Sequence, residues 1–380
     1  MRRLGAILGL AVLMVHAQAD SLNVRLIGSW DSPDYAWGVA VAGDYAYLAA
    51  NHAGLRVIAV ADPANPTEMA YVDTLGRVVG VAANGGYAYV ATYDAGGGLW
   101  VVSVADPAQP DVVGRLEVAG TARAVASDGN HIYVADSDSG LRVASVGDPA
   151  HPVQIGFCSI SGSSQDVAVS GGCAYVAVHD SGLRVVSISD PTNPVEVGHC
   201  HTPGPAVGVA VSGSRAYVAD ELAGLRIISV LDPTQPVEVG HLGPPANGVA
   251  LMGDYAYVAA GNRGMRVISV ADSADPAEVG YYGTRFARGV AVAGDLGYVA
   301  DGLGGLQICQ YYGEGVEEST RPLPSNRLAA TLRASLPRTS VAFDAMGRRV
   351  AKPRSGILFV RDEGRGAGSA GQTRKVILQR

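Results

Sequence analysis

One short pattern recurs seven times and dictates what the chain can become. GLRVIAV begins at Gly54, GLWVVSV at Gly98, GLRVASV at Gly140 and GLRVVSI at Gly182. GLRIISV follows at Gly224, GMRVISV at Gly264 and GLQICQY at Gly305. Successive starts lie 44, 42, 42, 42, 40 and 41 residues apart. A unit of that length cannot bury its apolar face alone, so the copies must stack on one another in a solenoid or a ring.

Each unit reads as four short strands. In the copy opening at Pro236, Val237 to Gly240 is brief and β-rich. Gly248 to Leu251 is a run of small apolar residues, the pattern of a strand buried on both faces. Tyr255 to Ala259 and Met265 to Val270 complete the set. Four strands in about forty residues make one propeller blade.

The turns agree. Gly43-Asp44, Gly85-Gly86, Gly129-Asn130, Gly171-Gly172, Gly213-Ser214, Gly253-Asp254 and Gly294-Asp295 are two-residue hairpin signals, since glycine supplies the positive φ that primed turns require. A DPxxP loop follows the last strand of the first six units, as at Asp62-Pro63 and Asp232-Pro233, and its sixth copy degrades to Asp272-Ser273. Tyrosine recurs in every third strand, at 47, 89, 133, 175, 217, 257 and 298. A residue present in every blade serves what every blade shares, so these rings are expected to pack. With Phe at 4 and Trp at 3, the core must be Val, Ile, Leu, Ala and Tyr.

Ring closure can be read from the ends. Val24 to Trp30 (VRLIGSW) matches the blade-opening strand at Pro236 but has no blade before it, and the last repeat stops at Gln310 without such a strand after it. The first segment is therefore expected to complete the last blade. The fold class is all-β: a seven-bladed β-propeller closed by an N-terminal strand, with a short β tail.

The GLRV and DPxxP motifs over residues 24–313 resemble the LVIVD repeat family of bacterial exported β-propellers. That family carries no established catalytic residues, so none transfers. In the tail, FDAMGRRV at Phe343, SGILFVRDE at Ser355 and TRKVILQR at Thr373 resemble the type A sorting domain of the type IX secretion system. The resemblance implies passage across an outer membrane by that machinery, removal of the tail, and surface display or release.

The start supports export. Arg2 and Arg3 precede an apolar stretch from Leu4 to Val15, and Ala17-Gln18-Ala19 forms a cleavage site. The expected organisation is a signal peptide at 1–19, the propeller at 20–313, a linker at 314–340 and the sorting-type tail at 341–380. No other stretch is apolar enough to cross a bilayer as a helix. Residues 20–313 carry 13 Lys+Arg against 29 Asp+Glu, a net of −16, whereas residues 314–380 carry 13 against 6, a net of +7. An acidic body argues against nucleic acid as a partner. Cys158 and Cys200 hold equivalent places in successive blades, farther apart than the ~7 Å a disulfide spans. With Cys173 and Cys309 in other strands, mostly free thiols are expected.

Catalytic motifs are missing: no GxSxG, HExxH or CxxC occurs, and GAGSAG at Gly366 lacks a βαβ setting. No cofactor is expected. His199-Cys200-His201 has two imidazoles but no evident third metal ligand, and Asp136 to Gly140 has a calcium-loop flavour through Asp136 and Asp138. Symmetry breaking is more telling. The position before each inner strand reads Trp37, Val79, Arg123, Gln165, Val207, Asn247 and Arg288, and should ring the channel mouth. Asp34, Tyr35, Arg77, Arg285 and Phe286 lie nearby, and the next turns add His52, Tyr93, Asp94, Asp136, Asp138, His179, Asp180, Asp220, Glu221 and Asp301. Arginine offers a planar fork to carboxylates and an aromatic ring offers an apolar face to a sugar or side chain. The reading is a binding or scaffold module for an extracellular glycan or protein, with Trp37, Arg123, Gln165, Asn247, Phe286, Arg288, His179 and Asp180 as contacts. The alternatives are an extracellular hydrolase or lyase using paired carboxylates or His179 with Asp180, and a structural surface-layer protein.

Overall fold

The structure is a computed structural model. It describes residues 21–94, 97–118 and 120–313, with three strand segments at 340–343, 356–362 and 373–378. The anticipated signal peptide and nearly all of the linker fall outside these residues. The described residues form two compact units, one ending at Gly313 and one beginning at Ser340.

The first unit is a seven-bladed propeller of four-stranded antiparallel blades. Blade one runs Gly38–Ala42, Tyr45–Ala49, Leu55–Ala59 and Thr67–Val72 from the channel outward. The innermost strands of blades two to seven are Val78–Asn84, Ala122–Ser127, Ser164–Ser170, Ala206–Ser212, Gly248–Met252 and Gly289–Ala293. No helix occurs among the described residues.

Closure follows the expected route. Val24–Trp30 pairs with Leu306–Tyr311, from Val24 opposite Tyr311 to Trp30 opposite Leu306, and supplies the outer strand of blade seven. One further pairing was not anticipated. Ser21 and Leu22 add a fifth strand to blade six, opposite Tyr282 and Tyr281. Asn23 joins the two blades in the left-handed region, with φ 53°, a conformation asparagine tolerates better than most residues. Its side chain donates to the Val279 carbonyl at 2.8 Å, and its own carbonyl accepts from the Tyr312 amide at 3.1 Å.

The core lies between blades. Tyr47, Leu55 and Val57 of blade one pack with Val78, Val90 and Val102 of blade two, and the pattern repeats around the ring. All seven repeated tyrosines are buried. The second strand of each blade, such as Tyr255–Ala259, is covered on both faces. The innermost strands are only half-buried, contrary to the reading of Gly248 to Leu251, because their free edge lines the channel.

The DPxxP loops are held by Asx turns. Asp62 accepts from the Ala64 amide at 3.1 Å, and the degenerate copy keeps the bond, Asp272 accepting from Ala274 at 2.9 Å. All four cysteines are free. Burial pushes the thiols of Cys158, Cys173, Cys200 and Cys309 up from their ordinary values. The second unit is a three-stranded antiparallel sheet in which Gly356–Asp362 pairs with both Ser340–Phe343 and Thr373–Leu378.

Candidate binding site at the channel mouth

A distortion of the inner strands builds the site. In blades two to five the ladder between first and second strands slips by one residue, at Val78/Gly80, Ala122/Ala124, Ser164/Asp166 and Ala206/Gly208. The residue passed over is the symmetry-breaking one: Val79, Arg123, Gln165 or Val207. A bulge leaves its extra residue unpaired and re-aims the side chain. In the other three blades Trp37, Asn247 and Arg288 donate their amides to the carbonyls of Ala49, Ala259 and Ala300 at 2.7–2.8 Å. All seven residues line one cavity of about 260 Å³ at the channel.

Two arginines dominate it. The Arg288 guanidinium stacks 4.3 Å from the Trp37 ring centre and 5.6 Å from that of Phe286. The Arg123 guanidinium stacks 4.3 Å from Tyr93 and donates to its hydroxyl at 3.3 Å. Arg77 reaches the same tyrosine, at 4.9 Å. These rings therefore hold guanidiniums, where an apolar face for a sugar was anticipated. Burial pushes the Arg123 guanidinium below its ordinary value; Arg288 and Arg77 push the same way, while Tyr93 and Asp138 oppose them.

Among the described residues, Arg77, Arg123 and Arg288 form no ion pair. The arginines of the repeated motif contrast with them. Arg56, Arg184, Arg226 and Arg266 pair with outer-strand Glu68, Glu196, Glu238 and Glu278 at 2.9–3.1 Å, and Arg142 pairs with Asp136 at 2.5 Å. Nor are most mouth-side carboxylates open to a ligand. Asp34 accepts from the amides of Tyr35 and His52, and Asp94 from that of Arg77. Asp220 accepts from the Gly204 amide, and Asp301 from Thr284, Arg285 and Phe286. These aspartates tie one loop to the next, so the anticipated acidic ring is largely structural.

The remaining candidates are placed as follows. Gln165 donates to the Ser163 hydroxyl at 2.7 Å, and Asn247 to the Ala287 carbonyl at 3.1 Å. His179 and Asp180 pair with each other at 2.8 Å on an exposed turn and do not line the cavity. Asp136 is fully buried against Arg142, while Asp138 is exposed. No group of three His, Cys, Asp or Glu suited to a metal occurs among the described residues.

Sequence reasoning missed Asp166. The row it occupies reads Gly38, Gly80, Ala124, Asp166, Gly208, Gly248, Gly289, so one carboxyl interrupts six small residues. It lines the cavity and accepts from the Val167 amide at 2.8 Å and from the Val209 amide of the next blade at 2.9 Å. Burial outweighs those two bonds and raises its pKa to about 6. The signal stood one residue beyond the variable position.

The fold and its mouth define a propeller with a charged, symmetry-broken channel entrance. The LVIVD repeat profile matches residues 33–74, 75–118, 119–159, 161–202, 203–242, 245–284 and 285–309, and the chain belongs to that family. Among solved structures, the computationally designed Ika8 protein is similar with a TM-score of 0.56 at 8% identity, over 75% of this chain and 99% of that one. That likeness concerns the fold alone. No curated protein matches the chain.

Proposed function

We propose that this is an exported propeller, displayed at the cell surface or released, that binds an extracellular glycan or protein ligand through its channel mouth. The observation that carries the reading is the contrast between two sets of arginines. Those of the repeat are neutralised by carboxylates, whereas Arg123 and Arg288 sit in a cavity, stacked on rings from neighbouring blades, in no ion pair among the described residues. A half-buried guanidinium that gives up part of its hydration with no ion pair to offset the loss is explained poorly by a purely structural role. Export rests on the sequence of residues 1–19 and on the resemblance of the basic tail to a sorting domain, as does the partnership with type IX machinery.

A glycan and peptide array probed with the mature propeller tests the binding. The Trp37→Ala/Arg288→Ala double variant should lose the ligand found while its melting temperature falls little. Normal binding by that variant, with loss on changing the DPxxP loops of the opposite face, would place the site on the wrong side of the ring.

A further inference from the structure

The two guanidinium clusters share one cavity. Arg288 belongs to blade seven, with Trp37 beside it in blade one, and Arg123 belongs to blade three, with Tyr93 beside it in blade two. The clusters thus occupy one arc of the ring, from blade seven through blades one and two to blade three, and both arginines line the same cavity. Each ring covers one guanidinium face, which leaves the planar N–H edge as the donor surface. That edge matches the two oxygens of a carboxylate. Asp166, also in the cavity, is fixed to two backbone amides and to neither guanidinium.

Size and charge narrow the ligand. The cavity is about 260 Å³, room for a small group and not for a folded chain. The surrounding body is acidic, a net of −16 over residues 20–313. A long polyanion lying across the face would meet that repulsion along its length, whereas a compact anion in the mouth feels mainly charges within the ~8 Å screening length. Accepting the mouth as the binding face, we infer that the ligand presents two or more carboxylates close together, either as a compact polycarboxylate or as the carboxylate-bearing end of a larger chain. Arg288 takes one group and Arg123 another.

Calorimetric titration of the full chain with propane-1,2,3-tricarboxylate tests this, with the uncharged tris-amide as control. The tricarboxylate should bind, more weakly at high salt, and the tris-amide should not. Arg288→Gln and Arg123→Gln should each weaken binding roughly tenfold or more. Arg25→Gln, at an exposed pair with Gln310, should change nothing. A digalacturonate and a peptide ending in two glutamates then decide which larger chain carries the group. Equal binding of the tris-amide, or wild-type affinity in both Gln variants, overturns the inference. If every carboxylate fails while an array ligand binds through Trp37 and Arg288, the anion is wrong and the binding face stands. Failure in both assays removes both.

Discussion

Deleting residues 21–30 should open the ring. The segment contributes every outer-strand hydrogen bond of blade seven and the added strand of blade six. Val24 is 1% exposed in the cluster between blades six and seven, which Leu26 also joins, while Ile27 and Trp30 pack between blades seven and one. Full burial of such side chains is worth about 2 kcal/mol each. With three of the four only partly covered, the apolar loss is about 5 kcal/mol, and an unpaired edge at Leu306–Tyr311 is added to it. Total stability of a domain is about 5–15 kcal/mol, so the loss is comparable to all of it. Differential scanning calorimetry with size-exclusion chromatography should show a collapsed or broadened transition and aggregation. A synthetic 21–30 peptide added in trans should restore part of the melting temperature. Unchanged melting and monomeric elution would refute closure by this strand.

Two further changes probe the scaffold and the channel. Tyr217→Ala should lower stability by about 3–5 kcal/mol in chemical denaturation, as for other large buried rings, and a loss below about 1 kcal/mol would remove the tyrosine row from the core. Asp166 has its folded pKa raised to about 6 against about 3.9 unfolded, so its protonated form favours the fold: the contribution is full below pH 4 and lost as pH rises through 6, at most about 3 kcal/mol. Asp166→Asn should therefore gain on the wild type between pH 4 and pH 7; parallel stability curves across that window would refute the assignment.

Blade number, strand order and closure were legible because period and turn chemistry are local and repeated seven times. What escaped were features whose cause lies across a blade boundary. Nothing in Ser21-Leu22-Asn23 announces a strand on one blade and a crossing to the next; the bond from Asn23 to Val279 spans 256 residues. A small apolar run at Gly248 looks alike whether its edge meets protein or a channel. An aspartate that accepts backbone amides, as Asp301 does, reads in sequence the same as one left free for a ligand. The mouth position itself was legible, since five different residue types occupy its seven copies while the flanking motifs repeat.

The channel explains why variation collects there, helped in blades two to five by the bulge. One residue further on, a Cβ at Gly80 would stand 2.7 Å from the Arg123 carbonyl and one at Gly289 2.9 Å from that of Trp37, so the next blade keeps those places small. Elsewhere along the repeat, the tyrosine and GLRV rows are fixed by inter-blade packing. In blades two to five the bulged residue is passed over by the ladder, and in all seven blades the mouth side chain lines the cavity, so the fold tolerates varied side chains there. Tolerance alone would give scattered, unrelated residues. The mouth instead brings Arg288 onto Trp37 of one neighbouring blade and Arg123 onto Tyr93 of another, and the aspartates nearby bond backbone and not these arginines. Two arginine–aromatic pairs across blade boundaries, each left without a counter-ion, require that four variable positions agree with one another, which free drift at a tolerant position does not supply.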